Sequence, residues 1–227
     1  MSSSNPSIQR HSYRMANTVV VLTFILGAVF IGFYQLTVRG IGVAWMGWIS
    51  LLYLLIPPLA RKIFRLRPAY LVDMTLYIFI FFAFDLGVAL KLYEKFQPMD
   101  MVAHILSGFV FAEIGLCIYF YLRADKQQPM GYGRSLACIF SFFFTGFVAV
   151  VWEIIEYVGF LLTGHDSQCV AATGVSDTME DMIVCLAGGL VMCLLMFVHL
   201  KGKHRIFLFA PSDEFFRVNC APKEDHA

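Results

Sequence analysis

Six apolar stretches of about twenty residues each, separated by short connections that carry most of the charge, leave this chain few ways to fold. A helix needs about 20 residues to cross a hydrocarbon core about 30 Å thick. The windows run over 17–35, 41–60, 70–93, 101–122, 135–162 and 177–200. Lipid cannot satisfy exposed backbone amides and carbonyls, so each run must be a helix or part of a closed barrel. Barrel strands would be shorter and would alternate polar with apolar residues, and these runs do not alternate. Composition agrees: 59% of the residues are hydrophobic and 15% charged, with a mean hydropathy of +0.72, against about a quarter charged in a soluble domain. The chain therefore reads as all-α: one polytopic membrane bundle of six transmembrane helices (17–200) between a polar tail (1–16) and a second tail (201–227). Residues 1–14, rich in Ser and Asn, read as disordered.

Orientation follows from lysine and arginine, which are retained on the cytoplasmic side. The amino-terminal segment, the second and fourth connections and the carboxyl tail hold 14 of the 17 basic residues. Only Arg39, Lys91 and Lys95 lie in the alternate connections. Both termini are thus expected in the cytoplasm, with the protein multi-pass in its membrane. A net charge of +1 gives no bias toward nucleic acid. Four of the six cysteines, Cys117, Cys138, Cys185 and Cys193, fall inside the spans and Cys220 in the tail, which leaves Cys169 alone in the last outer connection and argues against a disulfide framework.

Ionisable groups inside spans cost about 2.5–3.5 kcal/mol each for a central charge on the insertion scale, so each needs a reason to be there. Here they come in pairs: Asp100 with His104 in the fourth span, Glu153 with Glu156 in the fifth, Asp177 with Asp181 in the sixth. Separations of three or four residues place each pair on one helical face. With the orientation above, all six side chains lie within roughly 10–15 Å of the outer helix ends, at a rise of 1.5 Å per residue. Carboxylates and an imidazole at one level are ligand chemistry for a divalent cation. Asp100, His104, Glu153, Asp177 and Asp181 are the candidate metal ligands and Glu156 the candidate general base.

Simpler roles exist for parts of this set. Asp100 and Asp177 would serve as helix caps, and the glutamates as neutral packing groups, but neither accounts for His104 or Asp181. Asp85 is a candidate acceptor for His104, Asp73 reads as solvated, and Glu113 as a polar interhelical contact. His165 and Asp166 are placed to close over the site, whereas His199 and His204 sit beside the basic flank with no chemical role. Gly108, Gly188 and Gly189 read as close helix approaches.

The motifs Asp100-x-x-x-His104-x-x-x-Gly108-Phe109, Glu153-x-x-Glu156 and Asp177-Thr178-x-x-Asp181-Met182 with Gly188 resemble those of YjdF-like bacterial inner-membrane proteins, a family of unknown function. They are more loosely similar to VanZ-like proteins. The resemblance spans residues 70–200 and implies the fold and the site rather than a reaction. It departs at Pro98-Met99, where a longer linker with an arginine and an asparagine is expected. Three functions are open: a membrane-embedded, metal-assisted hydrolase of a lipid or lipid-linked substrate at the outer face of the lipid bilayer, a cation- or proton-binding transporter or sensor, and a non-catalytic membrane scaffold.

Overall fold

The computed structural model describes residues 6–96, 98–123, 127–202 and 206–221. Among them the chain is all-helical, and six helices are long and apolar enough to cross a membrane: Ile8–Arg39, Ile41–Phe64, Tyr70–Ala89, Pro98–Leu122, Tyr132–Thr163 and Ser176–His199. Their outer faces carry residues such as Leu26 (71% exposed) and Phe143 (70% exposed). Large apolar side chains standing outward all along a helix match lipid, not water.

The helices fall into two compact units. One comprises Met1–Met99 with Ala210–Ala227, the other Asp100–Phe209. The division depends on tertiary contacts, which hydropathy does not report.

In the first unit, α1 (Pro6–Arg39) begins well before the apolar run. The expected disorder of 1–14 is therefore corrected for residues 6–14, which extend the helix by two and a half turns; residues 1–5 lie outside the described residues. The second span is α2 (Ile41–Ile49), a 3-10 stretch (Ser50–Leu55) and α3 (Ile56–Phe64). Pro57 and Pro58 explain the break, since neither can donate to the carbonyl four residues back. Leu54 O, left without Pro58 as donor, accepts instead from Tyr77 Oη at 3.1 Å. The close crossing of α1 with α2 needs small residues: a Cβ on Gly47 would lie 2.7 Å from Gly32 N.

The third span joins α4 (Tyr70–Ile80) to a π-helical turn (Phe81–Ala89), followed by the short α5 (Leu92–Lys95). Asp73 is buried and paired with Arg61, so its reading as solvated is corrected. The carboxyl tail is not wholly extended polar chain. Its α10 (Ala210–Asn219) packs on α4, where Glu214 accepts the Leu71 amide at 2.7 Å and Asn219 exchanges bonds with the Arg67 backbone. Residues 203–205, with His204, and 222–227 lie outside the described residues.

The second unit holds α6 (Pro98–Leu122), α7 (Tyr132–Thr163), the short α8 (Val170–Thr173) and α9 (Ser176–His199). Backbone contact between α6 and α9 is direct. A Cβ on Gly108 would lie 2.1 Å from Cys185 O, and one on Gly188 would lie 2.4 Å from Ile105 O. On the other side of α9, Gly189 meets the Thr145 side chain of α7. The three glycines therefore act as expected: Gly108 and Gly188 let α6 and α9 meet backbone to backbone, and Gly189 makes room for the Thr145 side chain of α7. His199 is buried at the far end, where its Nδ1 accepts the Ile206 amide and its ring lies on Phe209.

Candidate functional site

The glycine crossing fixes the register of the site. His104 lies one turn before Gly108 and Asp181 one turn before Cys185, so the contact at Gly108 and Cys185 sets these two side chains face to face. His104 Nε2 is 3.6 Å from Asp100 Oδ1 and 3.5 Å from Asp181 Oδ2. One ligand atom from each of Asp100, His104 and Asp181 lies within 4.8 Å of the others. Asp181 is buried, His104 is half-buried, and the Asp100 side chain is 36% exposed, so the trio opens on one side.

The donor set fits a metal ion. Bonds of roughly 2.0–2.2 Å to nitrogen and carboxylate oxygen give tetrahedron edges of roughly 3.3–3.6 Å. The two His104 separations fall in that interval, and both are longer than a charge-assisted hydrogen bond of about 2.7–2.9 Å. Three is the number of protein donors that catalytic zinc sites use, against four in structural ones.

The other three predicted residues stand around this trio. Glu153 and Asp177 are in electrostatic range of His104, and Glu153, Glu156 and Asp177 in that of Asp181. Glu156 is hydrogen-bonded by the Trp152 side chain. Glu153 is buried, and its carboxylate accepts the Gln168 amide at 2.9 Å; the same amide group reaches Glu153 O at 3.2 Å. The structure thus gathers Asp100, His104 and Asp181 at ligand distance and leaves Glu153, Glu156 and Asp177 at the margin. The capping explanation for Asp177 finds no support, since Val175 precedes α9 and no side chain caps its first turn. Asp85 belongs to the other unit, where it is hydrogen-bonded with Ser50 at 2.8 Å.

Gln168 is the residue that sequence reasoning missed. It is buried at 8% exposure in the connection between α7 and α9, and no periodicity or charge marks it. Asp166 has a local task instead, accepting the amides of Val170 and Ala171 at 2.9 Å to start α8, while His165 is exposed. Cys169 is exposed, and its thiol is hydrogen-bonded with Asp177. Burial first, and then the carboxylates of Asp177, Asp166 and Asp100, push that thiol above its ordinary range.

Among known proteins, the model of a family described as "Predicted membrane protein (DUF2238)" matches residues 16–202. No curated protein and no solved structure matches the chain.

Proposed function

The chain belongs to the DUF2238 family of predicted membrane proteins, and we propose that it is a metal-dependent hydrolase acting on a lipid or lipid-linked substrate at one membrane surface. The observation that carries this reading is the separation of His104 from Asp100 and Asp181, 3.5–3.6 Å, which falls in the range of ligand-to-ligand distances around a metal ion. Asp100, His104 and Asp181 hold the ion, and Glu153 and Asp177 are the reserve ligands at its edge. A divalent ion there supplies Lewis acidity to a scissile ester and acidifies water.

The residues of the chain do the rest. Glu156 takes the proton from the attacking water as general base, with Trp152 fixing its carboxylate. Gln168 holds Glu153 and folds the connection between α7 and α9 against the site. Asp100 lies in the first turn of α6 and Asp177 in that of α9, which puts the cluster at head-group level, where an ester or phosphoester of a lipid lies. The loop charges favour the outer side for that level, which is the periplasmic side if the membrane is a bacterial inner membrane. The finer likeness to YjdF-like and VanZ-like proteins rests on the three motifs alone and names no reaction.

Metal analysis of protein purified in detergent tests the reading, followed by hydrolysis assays on a panel of phospholipids and isoprenoid-linked phosphoesters. Asp181→Asn loses the metal; Glu156→Gln keeps it and loses turnover. Protein that takes up no divalent ion refutes the proposal. Ion flux into vesicles without any hydrolysis replaces it with a transporter.

A further inference from the structure

The first unit holds a second buried polar group, built around the π-helical turn and unrelated to the acid–histidine trio. Asp85 and Ser50 are each 0% exposed and Gln35 is 2% exposed. Ser50 Oγ lies 2.7 Å from Gly47 O and 2.8 Å from Asp85 Oδ1. A hydroxyl carries one hydrogen, so it donates to only one of these two oxygens. If Asp85 were ionised, the other contact would press two lone pairs together with no hydrogen between them. If Asp85 carries a proton, the chain runs from Asp85 Oδ1–H to Ser50 Oγ–H to Gly47 O, and every atom in it is satisfied.

Two further oxygens in the same place have no partner: Asp85 Oδ2 and Gln35 Oε1. Gln35 Nε2 donates to Ala89 O at 2.6 Å. Ala89 is four residues beyond Asp85 in a helix whose bonds run to the fifth residue, as in Leu90 N to Asp85 O at 2.8 Å. In that wider turn, positions four apart share a face, so Gln35 and Asp85 meet the same side of the third span. Two buried acceptors without partners are what a single water can satisfy, since water can donate to both.

Among the described residues, no ion pair reaches Asp85. Of the elements packed on the π turn, α1 contributes Tyr34 and Arg39, with Arg10, His11, Tyr13 and Arg14 near its far end. The 3-10 stretch contributes Tyr53, which is in electrostatic range of Asp85. From α4 come Tyr70, Asp73 and Tyr77, and from α5 come Tyr93, Glu94 and Lys95. Arg39 and the neighbouring Lys91 pair with Glu94, while Arg61 of α3 pairs with Asp73. We propose that Asp85 is a proton-binding site of the membrane domain, its acid proton donated to Ser50 and its second oxygen joined to Gln35 through one buried water.

Infrared difference spectra of the full chain in lipid vesicles at neutral pH test this. Asp85→Asn removes one carbonyl band of a protonated carboxylic acid. Loss of a carboxylate band instead, with the acid region unchanged, overturns the proposal. If Asp85→Asn does not fold, Ser50→Ala keeps the acid but deletes its acceptor. A shifted acid band then supports the proposal, and an unmoved one refutes it. A sodium-induced change in the carboxylate region that is present in the wild type and lost in Asp85→Asn identifies a cation site at Asp85 and overturns it too.

Discussion

Alanine at Gly108 tests whether the helix crossing sets the metal geometry. Its Cβ would lie 2.1 Å from Cys185 O and 2.7 Å from Gly189 N. Both obstacles are backbone, so no rotamer relieves them. Carbon and carbonyl oxygen tolerate about 3.3 Å, which requires α6 and α9 to separate by about 1.2 Å at this point. His104 and Asp181 stand one turn away on the same two helices. Their 3.5 Å separation then grows to about 4.5 Å, outside the roughly 3.3–3.6 Å edge that metal bonds permit. Overpacking of this kind costs about 1–3 kcal/mol of stability. Metal affinity falls by at least about tenfold, the lower end of what disturbing ligand orientation does. Manganese titration followed by electron paramagnetic resonance reads the affinity, and circular dichroism checks helicity. Gly159→Ala, which meets open space, is the control and leaves both unchanged. A helical Gly108→Ala protein with wild-type manganese affinity refutes the link between crossing and site.

Cys169 reports the charge of the cluster from outside the spans. Its thiol is held above the ordinary range by burial and then by the Asp177, Asp166 and Asp100 carboxylates, and only the thiolate alkylates, so its maleimide reaction rises at higher pH than that of a solvated cysteine. Asp177→Asn removes a negative charge, favours the thiolate and moves the rate profile to lower pH; manganese moves it in the same direction, and a profile indifferent to both contradicts the placement. Tyr77→Phe strands Leu54 O and lowers stability in micelles by roughly 0.5–1.5 kcal/mol. An unchanged unfolding transition means that this carbonyl finds another donor.

The six spans were legible because lipid leaves the backbone no alternative to helix, so run length alone locates them. What hydropathy could not see was anything polar or non-periodic. Helix α10 is amphipathic at best and docks through Glu214 and Asn219 onto backbone far away in sequence. The third span was read to Tyr93, but regular helix gives way at Lys91, which adopts the left-handed conformation at φ 61°. At the site, the four-residue spacing placed Asp100 beside His104 correctly, since a single helix fixes it. Whether Asp181 or Glu153 would join them depended on the Gly108 crossing and on Gln168, a contact made across fifteen residues by an unremarkable loop glutamine.

The charge distribution of the second unit separates a proton-filled cluster from one that holds an ion. Five carboxylates, Asp100, Glu153, Glu156, Asp177 and Asp181, act on one another around His104. Its described lysines and arginines, Arg123, Arg134 and Lys201, lie at the opposite ends of α6, α7 and α9. Balance must therefore come from protons or from a cation. Protons alone would draw acid and acceptor together to about 2.5–2.7 Å, as in short O–H···O bonds, or bring the imidazole to about 2.7–2.9 Å. The imidazole instead stands off both aspartates at 3.5–3.6 Å, with the three ligand atoms within 4.8 Å of one another. That spacing favours the proposed ion over direct hydrogen bonds from the imidazole to the aspartates.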